Sequence, residues 1–166
     1  MALSLELTLM LPKKVDVKLR KESEKSRASI EELALEALCR GLDEKMDPSD
    51  RAELYARLSE KYLKEADDLL AKGDYVQASE KLWSAAALMV KAVAASRGVS
   101  ISSHGELFSF VRRLGEEERN PELRRLFSVA STLHQNFCEG WLREDVIKEY
   151  SEDVKQLVAE LRKLRK

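Results

Sequence analysis

The chain has 166 residues, enough for one good hydrophobic core with a small appendage. Hydrophobic residues make up 44% and charged residues 36%, and the formal net charge is -1. That balance excludes a global basic field for holding nucleic acid, and no apolar run approaches the roughly 20 residues of a membrane span. Lys, Arg and Glu dominate while Asn and Gln are scarce. This matches the ion-pair-rich surfaces of hyperthermophile proteins, although a helix-rich surface alone also favours Glu and Lys. The two cysteines, Cys39 and Cys138, lie far apart without CxxC spacing. A disulfide framework and a zinc site are not expected, no cofactor or metal is implied, and a reduced, cytoplasmic compartment fits best. Residues 1–12 are apolar but lack a basic n-region and carry Glu6, so they read as structure and not as a signal peptide.

Residues 4–11 alternate, with Leu5, Leu7, Leu9 and Leu11 on one side and Ser4, Glu6, Thr8 and Met10 on the other. Period two predicts a half-buried strand, which Pro12 ends. A charged amphipathic helix follows to Arg27. Ser29 and Glu32 form a capping box that opens a second helix, burying Ile30, Leu33, Ala34, Ala37, Leu38 and Leu42. A lone strand is not stable, and nothing else in the chain reads as one. The natural partner is the same strand of a second copy. Met46 to Asp50 is a boundary, with Asp47 as an N-cap and Pro48 at the first helical position.

From Asp50 the periodicity is helical. Tyr55, Leu58, Tyr62, Ala66 and Leu69 share one face; Tyr75, Ala78, Leu82, Ala85, Met89 and Ala92 share the next. Gly73 suits a left-handed C-cap and Asp74 can cap the following helix, so a short connection makes an antiparallel hairpin. Ser103 to Glu106 is another capping box. Asn120 as cap with Pro121 at the first helical position begins the next helix, Gly140-Trp141 breaks it, and a last amphipathic helix runs to the basic C-terminus. The fold expected is mainly α: an up-and-down bundle of about five helices over 47–166, preceded by a β-strand–helix–helix dimerisation element over 1–46.

The strand Leu5–Leu11, the helix Lys13–Arg27, the Ala28-Ser29 turn and the helix Ile30–Leu42 resemble the ribbon-helix-helix family of dimeric DNA binders. The resemblance implies that outward strand side chains read the major groove. Here those are Glu6, Thr8 and Met10, a departure from the family's basic and amide residues, while Lys13 and Lys14 would touch the phosphate backbone. The plainer reading makes the segment a dimerisation element alone. The second region resembles the HEPN superfamily of helical bundles, in its PaREP-type branch of thermophilic archaea. The matching stretches are Ala66–Tyr75 with Ala78 and Glu80, the alanine-rich helix into Lys91-Ala92, Ser103-His104-Gly105-Glu106-Leu107, and Leu133-His134-Gln135-Asn136-Phe137.

HEPN proteins are often ribonucleases, frequently toxins or effectors paired with a nucleotidyltransferase-like partner. The resemblance implies metal-independent RNA cleavage where four to six residues separate an Arg from the His that follows it, since the reaction needs a base for the 2′-hydroxyl and a cation for the phosphate. His134 has no Arg at that spacing; Arg124 lies about a turn too far back, though on nearly the same side of a helix. Arg97 and His104 fit the bare spacing but straddle a loop. The plainer reading makes His104 a first-turn residue near Glu106, and His134 a polar residue bonded to Asn136 or Glu139.

Trp83, Tyr75, Phe108 and Phe137 are candidates for a small pocket, with core packing the commoner use, and Trp141 for an interface. Carboxylate clusters at Asp67-Asp68 and Glu116–Glu118 read as solvated faces. The sequence therefore favours a homodimeric, catalytically degenerate interaction protein of toxin–antitoxin or defence type, with no membrane association. One alternative is a divergent ribonuclease using His134, Asn136 and Arg124. The other is a DNA-binding regulator using Thr8, Lys13 and Lys14.

Overall fold

The computed structural model describes residues 5–26 and 28–165. They form seven α-helices: α1 Lys13–Ser26, α2 Ile30–Gly41, α3 Pro48–Ala71, α4 Tyr75–Ser96, α5 His104–Glu117, α6 Glu122–Glu139 and α7 Glu144–Leu164. The described residues contain no strand, which corrects the expected fold: this is an all-helical chain of seven helices, not a bundle of about five led by a strand. Residues 5–12 run without regular structure, and Leu5, Leu7, Leu9 and Leu11 are all exposed. Alternation fixes which side chains share a face, but a strand exists only where a second backbone completes its ladder. The described chain supplies none. Ser4, the expected first strand residue, and Arg27 lie outside the described residues.

The α3–α4 hairpin is built as its turn residues dictate. Lys72 caps α3, and Gly73 takes φ 78. The Asp74 N–H donates to the Leu69 carbonyl and the Gly73 N–H to the Leu70 carbonyl, a Schellman-type ending. The Asp74 carboxylate then accepts from the Gln77 N–H and opens α4. Cross-helix contacts run in opposite directions along the two helices: the Ser59 hydroxyl donates to the Ala85 carbonyl at 2.7 Å, while Glu65 pairs with Lys81. The pair is antiparallel.

Helix α4 is the centre of the molecule. It packs against α3, α5, α6 and α7. Ala78, Leu82, Ala85, Ala86, Met89, Val90, Ala92 and Val93 are fully buried, so α4 is apolar almost all round, as a central helix must be. Its alanines let neighbouring backbones close in, and Leu126, Phe127, Leu133, Val154, Leu157 and Leu161 of α6 and α7 complete the core. The sixth helix starts slightly later than its sequence suggests: Pro121 is the N-cap residue, and Asn120 Oδ1 accepts from the Glu122 N–H.

The first two helices are different. Helix α1 buries no residue, and α2 buries only Glu32. They pack on each other, and α2 meets the bundle through polar side chains. Glu32 pairs with Lys91 at 3.2 Å, Glu31 with Lys61 at 3.6 Å, Glu36 with Arg51 at 3.9 Å, and the Tyr62 hydroxyl donates to Glu31. No helix among the described residues is long and apolar enough to cross a membrane.

Candidate functional site

One cleft of about 390 Å³ gathers the chemistry-bearing residues of four elements. From α4 come Glu80, Trp83 and Lys91, spaced so that they lie along one stripe of the helix. From α5 comes His104, its first residue. Ser103 is the N-cap: its hydroxyl accepts from the Glu106 N–H, and the Glu106 carboxylate accepts from the Ser102 N–H at 2.6 Å. That reciprocal cap fixes where His104 leaves the helix. The bonds from Ser102, backbone first and hydroxyl second, hold the Glu106 carboxyl below its ordinary range. From α6 come His134, Phe137 and Cys138, three and four residues apart and therefore on one face. The remaining wall is the α1–α2 turn, with Ser23, Glu24, Ala28 and Ser29.

At the centre, His134 Nδ1 lies 2.9 Å from Glu80 Oε2. An ionised carboxylate only accepts, so it is Nδ1 that carries a proton, and Glu80 fixes the ring's orientation. Trp83 stacks on the His134 ring at 5.2 Å and meets His104 edge-on at the same separation. The two imidazoles are 5.3 Å apart, nearly perpendicular. Trp83 is 5% exposed and forms the floor; both histidines are half-buried.

Among the described residues, Lys91 is the one lysine on the cleft, and it is committed. Its ammonium pairs with Glu32, with only 14% and 7% of the two side chains exposed, and Glu32 also accepts from the Ser29 N–H at 2.7 Å. Among the described residues, the charged groups lining the cleft are thus Glu24, Glu32 and Glu80 against Lys91. Its field favours neutral or cationic groups over phosphate. Among the described residues no three His, Cys, Asp or Glu side chains are placed to hold a metal ion.

Of the residues singled out in the sequence, His134 lies in the cleft. Asn136, two residues on, is 1% exposed and faces elsewhere: its Nδ2 donates to Ser79 Oγ at 3.0 Å, and its Oδ1 accepts from the Leu142 N–H at 2.7 Å. Arg124 is exposed near the start of α6 and is not part of the cleft wall. Thr8, Lys13 and Lys14 are exposed on the N-terminal segment, also outside the cleft. The partner of His134 is Glu80, not Asn136 or Glu139, and His104 meets Trp83 and His134 while Glu106 serves the cap. Of the aromatics considered for a pocket, Trp83 and Phe137 line it; Phe108 packs edge-on against Phe127, and Tyr75 lies beneath Lys148. Sequence reading passed over Glu80 and Lys91 as site residues. The signal available was their shared stripe with Trp83 on α4.

Fold and site together define an all-helical protein carrying a small cleft in which two imidazoles meet over a tryptophan floor. Residues 54–158 match the archaeal PaREP1/PaREP8 family, and the chain belongs to that family. It is also similar to a protein from Sulfolobus solfataricus known from a crystal structure, with 30% identity and a TM-score of 0.60 over 66% of this chain and 97% of that one. No curated protein is similar enough to count as a match.

Proposed function

We propose that this chain is an interaction protein: a homodimeric, catalytically degenerate bundle of HEPN type, of the kind found in toxin–antitoxin and defence systems. The observation that carries the reading is the charge of the cleft. Cleaving a phosphodiester needs a cation beside the base, yet the group paired with His134 is the Glu80 carboxylate and, among the described residues lining the cleft, the one lysine is neutralised by Glu32. Arg124 is outside the wall, and Asn136 is spent on Ser79 and Leu142. Support for the dimer comes from the N-terminal segment. Leu5, Leu7, Leu9 and Leu11 are 80%, 61%, 54% and 41% exposed, and among the described residues the backbone of 5–11 makes no hydrogen bond. Packing of these leucines against a second copy would cover them. The pure protein incubated with mixed single-stranded RNA in chelator should leave it intact, and sedimentation should give a dimer mass that Leu7→Glu reduces to that of a monomer. Cleavage of RNA, or a monomeric parent chain, overturns the corresponding half.

One observation favours a second reading, a divergent metal-independent ribonuclease. Glu80 orients His134 beside His104, which is the arrangement of a base held by a carboxylate with a second imidazole in reach. Chelator-resistant cleavage abolished by His134→Ala would put this reading first.

A further inference from the structure

We infer that α1 and α2 form a detachable wall that limits access to the His104–His134 cleft, held shut by ion pairs and not by a shared core. The inference rests on the geometry of the wall and not on what the cleft binds. Three independent observations lead to it. The cleft is bounded on one side by Ser23, Glu24, Ala28 and Ser29, residues of the α1–α2 hairpin, so its size is set by whether that hairpin is docked. The hairpin contributes no apolar side chain to the buried core: α1 buries nothing and α2 buries only Glu32. Its attachments are polar, from Glu31, Glu32 and Glu36 on α2 to Lys61, Lys91 and Arg51 on the bundle, with the Tyr62–Glu31 hydrogen bond beside them.

The hairpin also lies outside the family core. The family match begins at residue 54, and the Sulfolobus solfataricus protein uses 97% of its length on 66% of this chain. A segment outside the family match, lying against this cleft and held by charges, can open without unfolding what lies beneath. Elements with few buried apolar contacts and exposed hydrogen bonds are the ones that open at low free energy. Here the fastening pairs have one sign on each side: all three α2 groups are acidic and all three bundle groups are basic. Salt and charge removal must therefore act in the same direction on each of them.

Hydrogen–deuterium exchange of the full chain tests this. Amides of α2 should exchange through an opening that leaves α4 and α6 protected. Raising salt from about 0.05 M to about 1 M, which cuts the screening length from roughly 14 to 3 Å, should speed α2 exchange several-fold. The double variant Glu31→Gln, Glu36→Gln removes two half-exposed pairs outside the cleft wall. At low salt it should raise α2 exchange roughly three-fold or more, with α4 unchanged. In a Trp141→Phe background, acrylamide quenching of Trp83 reports the cleft floor and should rise with the same salt dependence. Two results overturn the inference. One is α2 exchange that tracks α4 under all conditions, which makes the hairpin part of the cooperative core. The other is α2 release without any gain in Trp83 quenching, which makes it an appendage that does not guard the cleft.

Discussion

Replacing Asn136 by Ala separates a structural residue from a chemical one. The side chain is 1% exposed and bridges three elements. It donates to Ser79 Oγ of α4 at 3.0 Å and accepts from the Leu142 N–H, in the link to α7, at 2.7 Å; its own carbonyl accepts from the Gly140 N–H. Ser79 keeps its donation to the Tyr75 carbonyl, so on that side the variant loses a neutral hydrogen bond worth about 1 kcal/mol. On the other side Leu142 keeps a part-buried N–H with no acceptor, which costs about 1–3 kcal/mol. The total is about 2–4 kcal/mol. For a chain of this size that corresponds to a fall in Tm of roughly 4–16 °C. Denaturant unfolding measures it, and a double-mutant cycle with Ser79→Ala should return a coupling of about 1 kcal/mol. A loss below about 0.5 kcal/mol with no coupling would refute the reasoning, because that is the range of an unremarkable surface change.

Three further outcomes are expected. Lys91→Met strands the Glu32 carboxylate, only 7% exposed, and should cost about 3 kcal/mol of α2 docking. Adding Glu32→Leu should restore most of that, less about 1 kcal/mol for the lost cap, as read by α2 hydrogen exchange. Tyr62 has its phenol raised well above the usual 10.0, first by burial and then by the hydrogen bond and charge of Glu31. The unfolded chain releases this proton near pH 10 while the folded chain keeps it. The stabilisation is therefore complete below about pH 10 and falls by about 1.4 kcal/mol per pH unit above it. Tyr62→Phe should flatten that slope in alkaline unfolding curves, at a cost near neutrality of about 1 kcal/mol. Ser103→Ala removes the cap that places His104 and should cost about 1 kcal/mol in thermal unfolding.

The local signals in the sequence were read at their true range. The Ser29–Glu32 box, Asp47 before Pro48, and the Gly73–Asp74 turn all act within four residues, and each is found in place. The strand failed for a reason of the same kind. Leu5, Leu7, Leu9 and Leu11 state an alternation, but a ladder needs a second backbone, and pattern alone does not say where one is. The cleft was illegible for a further reason. Neighbours along the chain, Asn136 and Glu139, were natural candidates for bonding His134, whereas the group that does so, Glu80, is 54 positions away. That contact exists only once α4 and α6 are packed.

How those two helices find their alignment links fold to site. Against a stripe of alanine and leucine, packing alone tolerates slippage, since one apolar contact resembles the next. Polar pairs do not. Ser79 meets Asn136 inside the core at 3.0 Å, and Glu80 meets His134 in the cleft at 2.9 Å. The position sums of the two pairs differ by one, as expected of antiparallel helices in a single register. A slip of one turn would break both, leaving the buried Asn136 Nδ2 without an acceptor at about 1–3 kcal/mol while Ser79 keeps its bond to the Tyr75 carbonyl. The buried pair thus fixes the geometry that the cleft pair displays. It follows that His134→Ala should leave stability nearly intact, while Asn136→Ala should disturb His134 without touching it. The NMR signals of the His134 ring in the Asn136 variant read this directly: unchanged chemical shifts and an unchanged contact with Trp83 would mean that the two pairs are not one device.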